Sequence, residues 1–531
     1  MKRRTFLKSA LSTAAAAPFL LDGVPVKATS PLKFLAQLPQ AVVDDRILII
    51  CQLFGGNDGL NTVVPADDPE YYKIREQIAV PKNQCWAGLG DVVYLNPALS
   101  WGQKGGIASM LVQGNAAIVQ GIGYDNPNLS HFRSTDIWLS GINDSNPDHR
   151  LESGWIGRFL ETKYPDFPNS LPEHPLAIQL GGFSLALTGT KGRMGIEVNN
   201  PAGQQGVGTM QDALDTDSVG TSYEIEHAFI ADIAERSNKY AKAVKDAYAA
   251  GKTQLKATYG TDTFGQQMAS VAALIAGGLK SKVYVVSMGG FDTHVSQTVP
   301  GPTVQGAHPN LLYRFSDAVA NFMNDMIRME MGDRVVGMSV SEFGRRPYEN
   351  GSFGTDHGTS SVQFIFGTQV NSGVYGTKPD LKSLNENGDL LHSIDYRRVY
   401  LEVLTDWFGA ELDDAYAVLQ ADKFDFSTLD VLKAQKNSTL RSTRIDTLAI
   451  RSNYPNPFRG ATTLEVELPR AGNVTVELSS VNGGNVTTLM SRELAAGVHQ
   501  IPLSLDVATG SYLCIVRANG QMAAKMIQCV R

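Results

Sequence analysis

Residues 46–54 read RILIICQLF, and Gly55-Gly56-Asn57-Asp58-Gly59 follows at once. A continuous apolar run of strand length suits a parallel strand buried on both faces, whereas a strand with one wet face alternates. The pattern recurs at 116–122, 283–288, 334–340 and 362–366. Between these runs lie helical stripes: Phe264, Met268, Val271 and Ile275, then Leu311, Leu312, Phe315, Val319, Phe322, Met323 and Met326. Strands alternating with amphipathic helices predict an α/β fold with a doubly wound, mostly parallel sheet. In such sheets ligands bind beyond the carboxyl ends of the strands. The polar clusters beside the apolar runs are therefore the places to look for chemistry.

Four clusters qualify. Asp58 follows the first run in a glycine-rich turn that also suits a plain Asn-Asp-Gly turn. Asp292 and His294 follow the 283–288 run in Gly289-Gly290-Phe291-Asp292-Thr293-His294. At i, i+2 on an extended segment they point the same way, so one cation can take both; a helix-capping Asp is the structural alternative. Glu342 follows the 334–340 run beside Arg345 and Arg346, and Asp356-His357 precedes the 362–366 run. Carboxylates and imidazoles flanked by glycines fit a divalent metal ion, with zinc, manganese, magnesium and calcium not distinguished. The four cysteines form no C-x-x-C pair, so a thiolate site is not expected.

Ser130 opens a helical pattern that runs through Leu139. A hydroxyl at a helix N-terminus beside a metal can act as a nucleophile on a bound anion, and it can equally serve only as the cap. Arg345 and Arg346 could hold anionic oxygens by paired hydrogen bonds, with Asn57 and His131 as further substrate contacts. His149, His227, His308 and His499 have no partner pattern and are expected to be surface or packing residues. There is no G-x-S-x-G elbow and no phosphate-binding G-x-x-x-x-G-K-[ST] loop.

The ends differ from the middle. Residues 1–28 have a basic start, an apolar run at 10–21 and a small-residue cleavage site, as an export signal does. Arg3-Arg4 with Thr5-Phe6-Leu7-Lys8 resembles a twin-arginine signal, which implies twin-arginine machinery as a partner. From about Ser452 short period-two runs separated by Gly and Asn turns predict a small antiparallel β-sandwich. Its Asn519-Gly520 turn sets Cys514 opposite Lys525, and no Cys514–Cys529 disulfide is expected. The expected divisions are thus a signal at 1–28, the α/β domain at 29–440, a linker at 441–451 that overlaps the polar stretch 436–446, and the sandwich at 452–531. No other run is long and apolar enough to span a membrane. A net charge of −7 with no basic tract past the N-terminus argues against nucleic acid as a partner.

The segments GGNDGLNTVVP, SHFRSTDIW, GWIGRFL, GGFDTH, SEFGRR and GTDHG, with Asp395-Tyr396-Arg397-Arg398, resemble the exported bacterial family called domain of unknown function 1501. That family is distantly similar to the alkaline phosphatase and sulfatase superfamily. The resemblance implies a one- or two-metal site acting on phosphate or sulfate esters, including small-molecule or glycan esters. It implies Asp292, His294 and His357 at one metal, Asp58, Glu342 and Asp356 at a second, and Ser130 as nucleophile. Glu342-Phe343 stands where the superfamily usually has Asp-His, a departure that bears on the second metal. The alternative is a secreted or cell-surface binding protein that keeps the fold without turnover. The C-terminal segment, opening Asn453-Tyr454-Pro455-Asn456-Pro457-Phe458, resembles the type A sorting domain of type IX secretion. That implies the type IX machinery as a partner and a destination at the cell surface or outside the cell.

Overall fold

The computed structural model describes residues 19–21, 24–26, 45–203, 239–433 and 449–530, apart from 89–92, 103, 168–169, 183, 422–426, 469–470, 481–486, 496 and 520. Most of the expected export signal and linker therefore lies outside the described residues. Two compact units divide between Lys433 and Ala434.

The first unit is built on strands β1 (Ile47–Leu53), β2 (Ala116–Gly123), β3 (Ala177–Leu180), β4 (Ile196–Val198), β5 (Val283–Met288), β6 (Val335–Val340), β7 (Ser361–Phe366), β8 (Gly373–Tyr375) and β9 (Ile394–Asp395). They form one sheet in the order β8-β2-β7-β6-β1-β5-β3-β4, with β9 beside β2. β1 lies between β5 and β6, parallel to both, and all seven of its residues are buried. Its side chains alternate between the two faces. Ile47, Ile49, Cys51 and Leu53 join a core with α1 (Gly106–Val112), α4 (Thr263–Ala276) and α5 (Ala307–Arg328). Leu48 and Ile50 join another with α2 (His131–Ser140), α3 (Trp155–Lys163) and α6 (Arg397–Glu402). Each fully buried aliphatic side chain contributes about 1.5–3 kcal/mol by leaving water. Both faces being covered is why β1 reads as an unbroken apolar run.

One strand runs against the rest: β7 pairs antiparallel with both β6 and β2. The chain leaves β6 at its carboxyl end, loops through residues 341–360 and enters β7 at the same edge, so no crossover intervenes. A residue just before β7 therefore reaches the same edge as residues just after β1, β5 and β6. The fold is mixed α/β with a largely parallel central sheet, the architecture implied by the resemblance to the alkaline phosphatase and sulfatase superfamily.

The second unit contains β10 (Ala449–Arg459), β11 (Ala461–Leu468), β12 (Gly472–Ser480), β13 (Thr487–Leu494), β14 (Gly497–Ser504), β15 (Gly510–Ala518) and β16 (Gln521–Cys529), in the order β13-β12-β15-β16-β10-β11-β14. The alternating residues Leu464, Val466, Leu468, Val474 and Val476 are all buried in its core with Phe458, Ile501, Val516 and Ile527. The sheet is not wholly antiparallel as expected, because β10 pairs antiparallel with β11 but parallel with β16 through Phe458 and Cys529. A strand of eleven residues with register breaks can serve both partners. Cys514 lies opposite Lys525, and all four cysteines are free. Among the described residues no helix is long and apolar enough to cross a membrane.

Candidate metal centre

The loops after β1 and β5 pass so closely that a Cβ on Gly55, at φ +120°, would lie 2.1 Å from the Asp292 nitrogen. Only glycine fits there. This approach sets Asp292 and His294 at the sheet edge, where α2 begins and the segment before β7 arrives.

Four side chains converge at that edge. Asp292 Oδ1 lies 3.1 Å from His294 Nε2 and 3.2 Å from His357 Nε2, and the two Nε2 atoms are 3.0 Å apart. His131 Nε2 approaches Asp292 Oδ2 at 3.5 Å. The outer nitrogen of each ring faces an oxygen: Leu129 O at 2.9 Å from His357 Nδ1, Asp356 Oδ1 at 3.0 Å from His294 Nδ1, and Glu342 Oε1 at 2.8 Å from His131 Nδ1. A carbonyl or an ionised carboxylate can only accept, so the network assigns the Nδ1 proton to all three neutral rings. Each Nε2 then turns a lone pair inward. With its Nε2 unprotonated, each ring sets a lone pair beside the Asp292 carboxylate, an arrangement that a cation relieves. Histidines that bind metals through one nitrogen characteristically donate the other to a carboxylate or carbonyl. The residues present therefore fit a divalent metal, and a possible His/Asp site is present.

The electrostatics agree. Burial lowers the pKa of His357 below the ordinary imidazole range, against the pull of the Leu129 carbonyl and the Asp292 carboxylate beside it, and so favours the neutral ring that can ligate. Burial alone would raise the Asp292 carboxyl, but the hydrogen bond and the charge of Arg345 bring it below the usual carboxylate range. The His294 hydrogen bond, then that of Asn350, likewise lowers Asp356. Asp292 remains 46% exposed, so the centre is open to solvent.

The other expected site residues take different places. Asp58 is fully buried and does not join the centre: its carboxylate accepts from Leu60 N at 3.1 Å, Asn61 N at 3.3 Å, Arg75 Nη1 at 2.6 Å and Gln297 Nε2 at 2.5 Å. Glu342 Oε1 is shared between Gly55 N, at 2.7 Å, and His131. Asp356 holds His294 and Asn350. These three carboxylates have separate partners and make no second cluster; among the described residues one group of three or more ligand atoms converges, that of His131, Asp292 and His357. His131, expected to touch substrate, is thus one of the converging donors. Asn57 is buried, its Oδ1 accepting from Thr62 Oγ1 and His308 Nε2, so it does not face a ligand. Arg345 is buried as well. Its guanidinium donates to the carbonyls of Gly56 at 2.9 Å, Thr355 at 2.8 Å, Phe291 at 3.1 Å and Gly55, and to Asp292 Oδ1 at 2.6 Å. It ties three loops together rather than offering a free fork. Arg346 turns to Asp389 and Asn387 O.

Ser130 is exposed at the N-cap position of α2, and its hydroxyl makes no capping bond. In the chain it stands between Leu129, whose carbonyl receives His357, and His131. The residues that sequence reasoning passed over are His131 as a member of the cluster around Asp292, Arg75 and Gln297. His131 could have been found from its place just after the β2 edge; Arg75 and Gln297 carry no local signal.

The family described as protein of unknown function (DUF1501) matches residues 195–419. No curated protein matches the chain. The chain is similar to the following solved structures. They are a protein in the alkaline phosphatase superfamily from Vibrio parahaemolyticus (9% identity, 85% of this chain and 82% of that one, TM-score 0.32), the PsFucS1 sulfatase from Pseudoalteromonas sp. (10%, 91% and 89%, TM-score 0.30) and the C-terminal periplasmic domain of EcEptC from Escherichia coli in complex with Zn (9%, 60% and 72%, TM-score 0.25). The chemistry of the centre rests on its own residues.

Proposed function

We propose that this protein is an exported hydrolase of phosphate or sulfate esters that uses one divalent cation held by His131, Asp292, His294 and His357. The observation that carries this reading is the approach of His131, His294 and His357 to one carboxylate, Asp292, at the carboxyl edge of the sheet. Three imidazoles with one carboxylate suit zinc better than magnesium or calcium. Bound there, the cation supplies charge stabilisation for an ester oxygen and favours deprotonation of a neighbouring hydroxyl. Glu342, Asp356 and the Leu129 carbonyl hold the three rings in the ligating tautomer. Ser130 presents its hydroxyl at the start of α2, where unpaired N–H groups favour an anionic ester.

Metal analysis of the purified chain tests the reading. Near-stoichiometric zinc that falls in His357→Ala supports it; no uptake after reloading with zinc, manganese, magnesium and calcium overturns it. Hydrolysis of aryl phosphates or aryl sulfates that vanishes in folded, metal-loaded Ser130→Ala supports the nucleophile, and unchanged turnover removes Ser130 from that role.

On the same reading residues 1–28 are a twin-arginine signal and the second unit is a type IX address. A reporter fused to residues 434–531 is expected to reach the surface of a cell with that machinery. Retention in the periplasm overturns the address.

A further inference from the structure

We infer that Gln297 is a positioning residue for the metal centre, bridging a buried carboxylate to both loops that carry the donors; the inference rests on the metal reading above. Gln297 is fully buried. Its Oε1 accepts from Thr293 Oγ1 at 2.9 Å and Thr355 Oγ1 at 2.7 Å. Its Nε2 donates to Asp58 Oδ2 at 2.5 Å. Thr293 stands between Asp292 and His294, and Thr355 is two residues before His357. One side-chain amide thus joins the segments that supply three of the four donors, beside the backbone bond from Thr355 N to Thr293 O at 3.2 Å. Because Oε1 meets two hydroxyl donors and Nε2 meets a carboxylate, the amide has one orientation.

The far end of that bridge is rigid. Asp58 is held by Arg75 and by two backbone N–H groups, and Arg75 donates further to Pro347 O at 2.7 Å, Arg346 O at 2.8 Å and Asn61 Oδ1 at 2.8 Å. The carboxylate that the sequence offers as a metal ligand thus serves the centre at one remove. Backbone bonds also join the two loops, Ser296 N to Ser352 O at 2.9 Å and Gln297 N to Phe353 O at 2.8 Å. They lie on the side of Gln297 and hold the loops together without it. Removing the amide therefore leaves the fold closed while loosening the segments that present the donors. Outer partners of metal ligands are worth roughly 10–100-fold in affinity.

The test is zinc affinity of the full-length chain at neutral pH, by competition with a chromophoric chelator, for Gln297→Met, Thr355→Val and Thr355→Ser, with thermal unfolding measured in parallel. Gln297→Met is expected to weaken zinc roughly tenfold or more, and Thr355→Val by several-fold. Thr355→Ser, which keeps the hydroxyl, should stay within twofold of the unaltered chain. A folded Thr355→Val that binds zinc as the unaltered chain does overturns the inference even if Gln297→Met fails to fold. If the unaltered chain takes up no zinc, the metal reading falls on that result alone. Side-chain 15N NMR of the histidines then decides Gln297: altered His294 and His357 signals in folded Thr355→Val but not in Thr355→Ser support positioning, and unaltered ones overturn it.

Discussion

Gly55-Gly56-Asn57-Asp58 and Gly289-Gly290-Phe291-Asp292 follow neighbouring parallel strands with the same rhythm, yet the two aspartates have opposite surroundings. After Asp58 the chain turns at once into a helical turn, Gly59–Thr62, whose N–H groups the carboxylate caps. Arg75 closes the pocket, leaving both side chains inaccessible. Around Asp292 the chain makes a tight turn, Thr293 N to Phe291 O at 2.8 Å, and imidazoles rather than a helical turn flank the carboxylate, which stays 46% exposed. In one place donors are matched to acceptors on every side; in the other Arg345 supplies one donor and the imidazoles gather on the open side. A strand-end aspartate acquires its role from what packs on it.

The largest effect expected is on the closed side. Arg75→Met strands the Asp58 carboxylate in the interior and should destabilise the first unit by about 3–5 kcal/mol in denaturant unfolding. A loss below about 1 kcal/mol would mean that the pair is not what holds this corner.

Acid should act on the same corner. His308 is buried with its Nε2 on Asn57, and its pKa is lowered from 6.5 to about 4, by burial first and by Arg75 and Arg345 in addition, against the pull of Asp58. Its folded value lies below its unfolded one, so this contribution is fully present above pH 6.5 and is lost as pH falls through 4. The loss should reach about 3 kcal/mol and be absent in folded His308→Gln.

The open side should behave in reverse. Asp292→Asn is expected to change stability by less than about 1 kcal/mol while weakening zinc by more than the ~100-fold at the top of the range for outer partners. Equal stability losses in Asp292→Asn and Arg75→Met would erase the contrast. The smallest effect belongs to Glu342→Gln, whose amide oxygen can still accept from His131: several-fold weaker zinc binding, read by the same competition titration.

The strands and helix faces were legible because burial on both faces writes continuous apolar runs, and helical burial writes the stripe from Leu311 to Met326. Asp292, His294 and His357 were legible as a group because each adjoins a strand that ends or begins at one edge. The reversal of β7 was hidden, since an apolar run has no direction. So was the fate of Asp58, because its partner Arg75 lies 17 residues on and its other partner, Gln297, 239 residues on. Arg345 beside Arg346 suggested two free cations at the site. Burial gave one to the loop carbonyls, while the other, part-exposed, turns to Asp389.

The reversed strand has a further consequence, in time rather than space. The bond from His357 to Leu129 spans 228 residues, because β7 is entered late and delivers its histidine on the way in. At about 5–20 residues per second, synthesis leaves roughly 10–45 s between the emergence of the first donor and the last. During that interval the early donors exist without their closing partner. On the proposed metal reading, capture of a cation is therefore a late event in the life of the chain, and the compartment in which β7 docks is the one that chooses the metal.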